Sequence, residues 1–251
     1  MSEFKNKVAF VTAANSGIGK ATAIAFAKEG AKVIVAARRE KEGKEVVDQI
    51  LAAGGEATFI SVDVSKAKDV KNAIDKTVDL YGGLDYCFNN AGVNIDSDIP
   101  LHEYDDESWK SIVDINLSGV FYCLKYEIQQ MLKNGGGAIV NMSSVAGVIS
   151  KPFVSAGYNA SKHGVIGLTK NAALFYARNG IRVNAVCPAI IETPLVEALP
   201  EATKAALTSI HPVGYYGSVN EVADAVLFLC SKKSHFTTGH SMVIDGGLTI
   251  G

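Results

Sequence analysis

Short, unbroken apolar runs alternate with amphipathic stretches along the whole chain, and this alternation restricts the fold more than any other feature. Val8-Ala9-Phe10-Val11 leads into a glycine-containing turn and a helical stretch from about Ile18 to Glu29, closed by Gly30. Further strands are expected at Lys32–Ala36, Ala57–Val62, Leu84–Phe88, Ala138–Met142, Ile181–Val186 and Ser241–Ile244. Helices are expected between them at Lys41–Ala53, Asp69–Tyr81, Glu107–Lys133, Tyr158–Ala177 and Val219–Leu229. A strand that is apolar at successive residues must be covered on both faces. Strands of that kind separated by helices define a doubly wound α/β fold, a parallel sheet between two helical layers. No linker, repeat or low-complexity segment interrupts the pattern, so residues 1–251 are expected to form one domain. The exception is the stretch from Ile190 to Tyr216, proline-containing and weakly patterned, which reads as a loop over a site.

Composition narrows the partners. A net charge of −2, with no extended basic run, gives no reason to expect a nucleic acid or a membrane surface. The polar N-terminus has no secretory apolar core, and no apolar run approaches membrane-spanning length. Cys87, Cys123, Cys187 and Cys230 lie far apart in apolar runs, as expected of buried reduced thiols in a cytoplasmic protein. Neither these cysteines nor His102, His211, His235 and His240 have metal-ligand spacing, so no metal is expected.

The first turn reads Thr12-Ala13-Ala14-Asn15-Ser16-Gly17-Ile18-Gly19. It follows a strand and opens a helix, which is where a dinucleotide pyrophosphate is held. Gly17 would let the backbone approach, Gly19 would let helix and strand pack closely, and the helix N-terminus would supply N–H donors. The end of the second strand separates the two nicotinamide cofactors. An acid there would bind a ribose 2′-hydroxyl and repel a 2′-phosphate. This chain has Ala37 followed by Arg38 and Arg39, and guanidinium groups pair well with phosphate. That favours NADP over NAD, unless both arginines are merely solvated.

Tyr158 and Lys162 stand four residues apart, hence on one face, of an expected helix whose apolar face is Val165, Leu168, Ala172 and Phe175. An ammonium beside a phenol stabilises the phenolate and lowers its pKa. A tyrosine tuned that way can exchange a proton with an alcohol or carbonyl near neutral pH. His163, one residue on, points off that face.

Together these residues resemble the short-chain dehydrogenase/reductase family in its single-domain, Rossmann-type form, over essentially the whole chain. Thr12 to Gly19 is similar to the family's Thr-Gly-X-X-X-Gly-X-Gly turn. Asp63-Val64 follows the third strand, where the resemblance implies adenine binding. Asn89-Asn90-Ala91-Gly92 follows the fourth strand, at the adenosine ribose. Asn116 sits in Asp114-Ile115-Asn116-Leu117, Ser143-Ser144 closes the fifth strand, and Tyr158-X-X-X-Lys162 follows. The resemblance implies Tyr158 as general acid and base, with Lys162 lowering its pKa and binding the nicotinamide ribose. It implies Ser144, with Ser143 the alternative, as holder of the substrate oxygen, and Asn116 as the site of a proton-relay water. Pro188, Ile191 and Thr193 would meet the nicotinamide carboxamide. Two positions depart from the pattern: Ala13 replaces a glycine and is expected to keep a negative φ, and Ala189 follows Pro188 in place of glycine.

Substrate contacts are expected from residues 93–99, 145–153 and 189–216, through Val145, Val148, Ile149, Phe153, Ile190, Leu195 and Tyr215. Such a lining suits a neutral ketone or aldehyde and its alcohol. The expected function is NADP-dependent interconversion of the two, with an NAD-linked alcohol or sugar dehydrogenase as the alternative. A non-catalytic cofactor-binding regulator is the reading from another class, and the complete Ser-Tyr-Lys set speaks against it. The resemblance also implies a homotetramer, with Asp245-Gly246-Gly247 a tight turn near an interface.

Overall fold

The computed structural model describes residues 2–97, 99–151 and 154–251, with the side chain of Leu195 outside that description. Seven strands form one parallel sheet: β1 (Val8–Thr12), β2 (Lys32–Ala37), β3 (Glu56–Ser61), β4 (Tyr86–Asn89), β5 (Gly137–Met142), β6 (Ile181–Pro188) and, after a two-stranded ribbon, β9 (Ser241–Ile244). The ribbon is β7 (Ile191–Glu192) with β8 (Gly217–Ser218). The helices are α1 (Gly17–Lys28), α2 (Glu40–Ala52), α3 (Ala67–Tyr81), α4 (Asp106–Val113), α5 (Gly119–Asn134), α6 (Ala156–Tyr176), α7 (Pro194–Glu197), α8 (Glu201–Ser209) and α9 (Val219–Cys230). The sheet order is β3-β2-β1-β4-β5-β6-β9, so the winding reverses between β1 and β4. A reversal of that kind opens a crevice at the carboxyl ends of the strands.

The two-residue period of a strand divides the core. Ala9, Val11, Val33 and Val35 face one layer with Phe26 of α1, Val46 of α2 and Val226 of α9. Val8, Phe10, Ile34 and Ile139 face the other, with Ile74 of α3, Leu124 of α5 and Val165 of α6. Every residue of β1 is buried, which accounts for the absence of a polar face in its sequence. Gly30 follows α1 at φ +86°, a left-handed conformation that ends the helix with little steric cost.

Three local expectations are corrected. The helix expected over Glu107–Lys133 is broken: α4 and α5 are joined by a π-helical turn, Asp114–Ser118, centred on Asn116. Hydrophobic periodicity does not reveal one extra residue in a turn. Phe175 does not share the buried face of α6 with Val165 and Ala172 but is 70% exposed. The segment 190–216 is not a plain loop; it carries β7, α7 and α8, although α8 contributes no buried side chain.

Candidate active site

The turn after β1 is fixed by hydrogen bonds from β4. Thr12 Oγ1 accepts from the backbone N–H of Asn90 at 2.8 Å and of Ala91 at 3.0 Å. Asn90 Nδ2 donates to Thr12 O at 3.1 Å and Ala13 O at 3.5 Å. Ala13 has φ +49°, which corrects the expectation of a negative value. A non-glycine residue in the left-handed region costs about 1–2 kcal/mol, and the Asn90 bonds to the carbonyls on either side of that φ hold it there. Gly17 has φ +51°, and Ile18 packs on the α1 side of the core. A Cβ on Gly19 would lie 2.4 Å from Ala13 O and 2.6 Å from Asn90 Nδ2. The cradle is therefore one that only glycine fits, as a turn closing around a pyrophosphate requires.

A cavity of about 270 Å³ extends from this turn, lined by Ala13, Asn15, Ser16, Ala37, Arg38, Arg39, Asp63, Val64, Ala91, Gly92 and neighbours. Arg39 donates to Ser16 Oγ at 3.3 Å and pairs with Glu42 at 3.1 Å. With its amide turned to face the guanidinium, Asn15 Oδ1 also accepts from Arg39 Nε at 2.8 Å. Partial burial raises the Asp63 pKa, but hydrogen bonds from Ser65 and the charges of Lys66 and Arg38 outweigh it and hold the carboxyl below its usual range. Of the expected cofactor residues, Ala13, Asn15, Ser16, Arg38, Arg39, Asp63, Val64, Ala91 and Gly92 line this one cavity, and Gly17 lines a neighbouring hollow.

The expected catalytic residues lie beyond Gly92, which lines that cavity. Ser155 caps α6, accepting from Tyr158 N–H at 3.3 Å. Lys162 is 2% exposed; its Nζ donates to Met142 O at 2.9 Å and sits 5.4 Å from the centre of the Tyr158 ring. Burial pulls the Lys162 pKa down to about 8. The expectation that Lys162 depresses the Tyr158 pKa is corrected for this state: burial raises it, and only the hydrogen bond with Ser144 acts in the other direction. The ammonium donates to a carbonyl and lies by the ring, and desolvation of the phenol dominates.

The two serines divide their tasks. Ser143 Oγ donates to Lys162 O at 2.9 Å and is committed to α6. Ser144 Oγ accepts from Ala146 N–H at 3.1 Å and faces Tyr158 across the substrate pocket. Asn116 is fully buried and clamps Val93, accepting from its N–H and donating to its C=O, both at 2.8 Å. A Cβ on Gly92 would lie 3.3 Å from both Asn116 Oδ1 and Lys162 Nζ, which places those two groups around one backbone position.

A second cavity, of about 180 Å³, is lined by Ser144, Tyr158, Val145, Ile149 and Ile190, as expected, and also by Asn94, Ala146, Lys151, Val154, Ala189, Ile210 and Leu248. Leu248 was not legible as a lining residue because it lies past the last strand, with only a glycine turn before it. Val148 and Tyr215 are instead 43% and 59% exposed. Phe153 and the Leu195 side chain lie outside the described residues. Pro188 O accepts from Ser144 Oγ at 3.4 Å, Ile191 pairs with Gly217, and Thr193 Cγ2 lies 3.4 Å from where a Gly17 Cβ would stand. The start of the 190–216 segment thereby reaches the first turn. Among the described residues, no cluster of three or more His, Cys, Asp or Glu could hold a metal, and no helix is long and apolar enough to cross a membrane.

A cavity against the first turn and a tyrosine paired with a lysine beyond Gly92 are features that a nicotinamide-dependent oxidoreductase requires. The family model described as "Enoyl-(Acyl carrier protein) reductase" matches residues 12–249. Cyclohexanol dehydrogenase of Acinetobacter sp. (strain SE19) is 43% identical over 250 residues, covering 99% of this chain and 97% of the relative. 2,5-Dichloro-2,5-cyclohexadiene-1,4-diol dehydrogenase of Sphingobium indicum (strain DSM 16412 / CCM 7286 / MTCC 6364 / B90A) is 39% identical over 253 residues, covering 99% of each. The crystal structure of levodione reductase superposes with a TM-score of 0.94 at 32% identity, covering 99% of both chains. The chain belongs to the short-chain dehydrogenase/reductase family, and it is an NAD(P)-dependent oxidoreductase of alcohols and ketones.

Proposed function

We propose that the protein interconverts a compact, neutral ketone and its secondary alcohol with NADP as cofactor, the whole chain acting as one domain and residues 190–216 as its substrate loop. The carrying observation is the placement of Ser144 and Tyr158 at one end of an otherwise mostly apolar cavity of about 180 Å³. When bound, the nicotinamide supplies or accepts the hydride. Tyr158 exchanges the proton with the substrate oxygen, and Ser144 holds that oxygen beside it. Two convergent hydroxyls offset the charge that develops there. Lys162, fixed on Met142 O, would bind the ribose, and the Ser144 hydroxyl favours the ionised phenol. Asn116 keeps Val93 in place and lines the approach by which a water would reconnect Lys162 to solvent. Ala13 through Gly19, Asp63, Val64 and Asn90 through Gly92 would hold the dinucleotide, with Pro188, Ile191 and Thr193 at its nicotinamide end.

The relatives named for cyclohexanol and for a cyclohexadiene diol support an alicyclic substrate. Lys151 is the only charged side chain lining the cavity among the described residues. A screen should therefore pair cyclohexanone with 4-oxocyclohexanecarboxylate; preference for the acid would replace the neutral reading.

NADP is favoured because β2 ends without an acid, at Ala37, and Arg38 and Arg39 line the crevice. The ion pair of Arg39 with Glu42 favours a second reading, in which that arginine closes the turn and NAD is used. Titration of NADPH and NADH into the wild type and Arg38→Asp separates them. NADPH preference, weakened about 10- to 100-fold in the variant, supports the first, since hydrogen bonds to charged groups contribute about 1.5–3 kcal/mol. NADH preference in the wild type overturns it.

A cytoplasmic homotetramer completes the proposal. Phe121 on α5, and Leu174 and Phe175 on α6, are 47%, 81% and 70% exposed, apolar area that a subunit interface would cover. A monomer mass by light scattering would remove this element alone.

A further inference from the structure

Glu127 lies on the core-facing stripe of α5, between Cys123 and Leu124 on one side and Ile128 and Met131 on the other, and it is fully buried. A carboxylate in such a stripe is costly unless a cation or several donors surround it. Neither is present among the described residues. Oε2 accepts from Asn89 Nδ2 at 2.9 Å, the Cys87 thiol is the carboxyl's one further, weak donor, and Oε1 has no N–H or O–H partner.

The surrounding cluster is short of donors. Asn89 Nδ2 also donates to Asn141 Oδ1 at 3.0 Å, which uses both of its hydrogens. Asn141 Nδ2 donates to Thr169 Oγ1 at 2.9 Å, and that hydroxyl donates to Val165 O at 2.8 Å. Asn89 Oδ1, like Glu127 Oε1, is a buried acceptor without a donor. A proton on Glu127 supplies a donor and removes the charge in one step. Burial pushes its pKa up to about 7, in the same direction, against the hydrogen bonds from Asn89 and the Cys87 thiol, which lower it. The titratable groups facing it are Cys87 of β4 and Cys123 of α5, whose thiols burial holds well above their usual range, and no charged side chain perturbs it.

The bonded chain ends on α6 at Val165 O, three residues after Lys162. Asn89 and Asn141 are ladder partners across β4 and β5. β5 in turn grips α6 through Asn141 to Thr169, Ser143 Oγ to Lys162 O, and Lys162 Nζ to Met142 O.

We propose that Glu127 is a positioning residue for catalysis: as a neutral acid it fixes Asn89 and Asn141, and through them the strand end that anchors Lys162, and its ionisation loosens that anchor. The catalytic part rests on the reading of Tyr158 and Lys162 as reacting groups; the protonation part does not. A carboxyl whose pKa is higher folded than unfolded contributes stability that is full below the unfolded value and is lost as pH rises. The window here runs from about 4.5 to about 7.

Glu127→Gln keeps the shape and a donor but cannot ionise. Three readouts compare it with the wild type: melting temperature against pH, kcat with NADPH and cyclohexanone against pH, and the infrared carbonyl stretch of a protonated carboxylic acid. The wild type is expected to lose melting temperature across that window and kcat as pH passes about 7, with KM nearly constant. Glu127→Gln should lose neither, and should lack the infrared band. Glu127→Leu, which breaks the chain, should lower kcat about 10- to 100-fold, the size of a small misplacement. Identical pH slopes in wild type and Glu127→Gln, or no protonated-acid band in the wild type, would overturn the proposal. If cyclohexanone is not turned over, the melting and infrared arms still decide whether Glu127 is a neutral acid. If Glu127→Leu fails to fold, the wild-type and Glu127→Gln comparison stands alone.

Discussion

The cofactor side and the substrate side of the crevice are built by different means. On the cofactor side, the first turn presents its backbone, locked by the buried Thr12 and the part-buried Asn90. On the substrate side the wall is made of side-chain tips, among them Ile149, Ile190, Ile210 and Leu248, carried partly by a segment whose α8 buries nothing. A surface made of backbone cannot change without changing the fold. One made of side-chain tips can be exchanged at little structural cost, which is how one scaffold comes to serve differently named substrates.

The largest expected effect lies where the two sides meet. Lys162→Met should lower kcat about 10²-fold or more, the range for loss of acid–base support, and at the same time stabilise the protein. Its folded pKa of about 8 lies below the ordinary 10.5, so the charged form is penalised by folding. At about 1.36 kcal/mol per unit the relieved penalty is about 3 kcal/mol, and after loss of the hydrogen bond to Met142 O the variant should gain roughly 2 kcal/mol near pH 7. Between about pH 8 and 10.5 the unfolded wild type binds more protons, so wild-type stability rises and the variant's advantage should narrow. Urea melts at several pH values check this.

Gly19→Ala tests the backbone-built side. With its Cβ 2.4 Å from Ala13 O, it should cost about 1–3 kcal/mol and weaken NADPH binding together. Ile210→Ala tests the other side: KM for cyclohexanone should rise about 10-fold, the lower end of the range for a removed methylene, with the melting temperature nearly unchanged. Equal losses of stability in these two variants would break the contrast between the sides. The smallest effect is Ala13→Gly, which relieves a φ of +49° and should raise stability by no more than about 1 kcal/mol. A loss there would show that the alanine methyl packs usefully.

The strands, the helices, the first turn and the convergence of Ser144, Tyr158 and Lys162 were legible, because periodicity and i,i+4 spacing are local properties. What was not legible depends on tertiary surroundings. The positive φ of Ala13 is imposed by Asn90, distant in sequence. The raised Tyr158 pKa reflects how much protein surrounds the phenol, which spacing cannot report. Glu127 did carry a signal: it interrupts the apolar series Val120, Cys123, Leu124, Ile128, Met131 at a core position. A charged residue at that phase of a helix breaks the binary pattern, and the pattern alone is enough to single it out.

The π-helical turn at Asp114–Ser118 has a consequence for how this gene can vary in length. It carries an extra residue between the portion of the helix that presents Asn116 and the portion that presents Glu127. Each residue turns a regular helix by about 100°. Deleting one to restore regular winding would swing either Asn116 away from Val93 or Glu127 away from Asn89. This stretch can therefore drift in composition while its residue count stays locked, and length variation should collect in the rim loops instead.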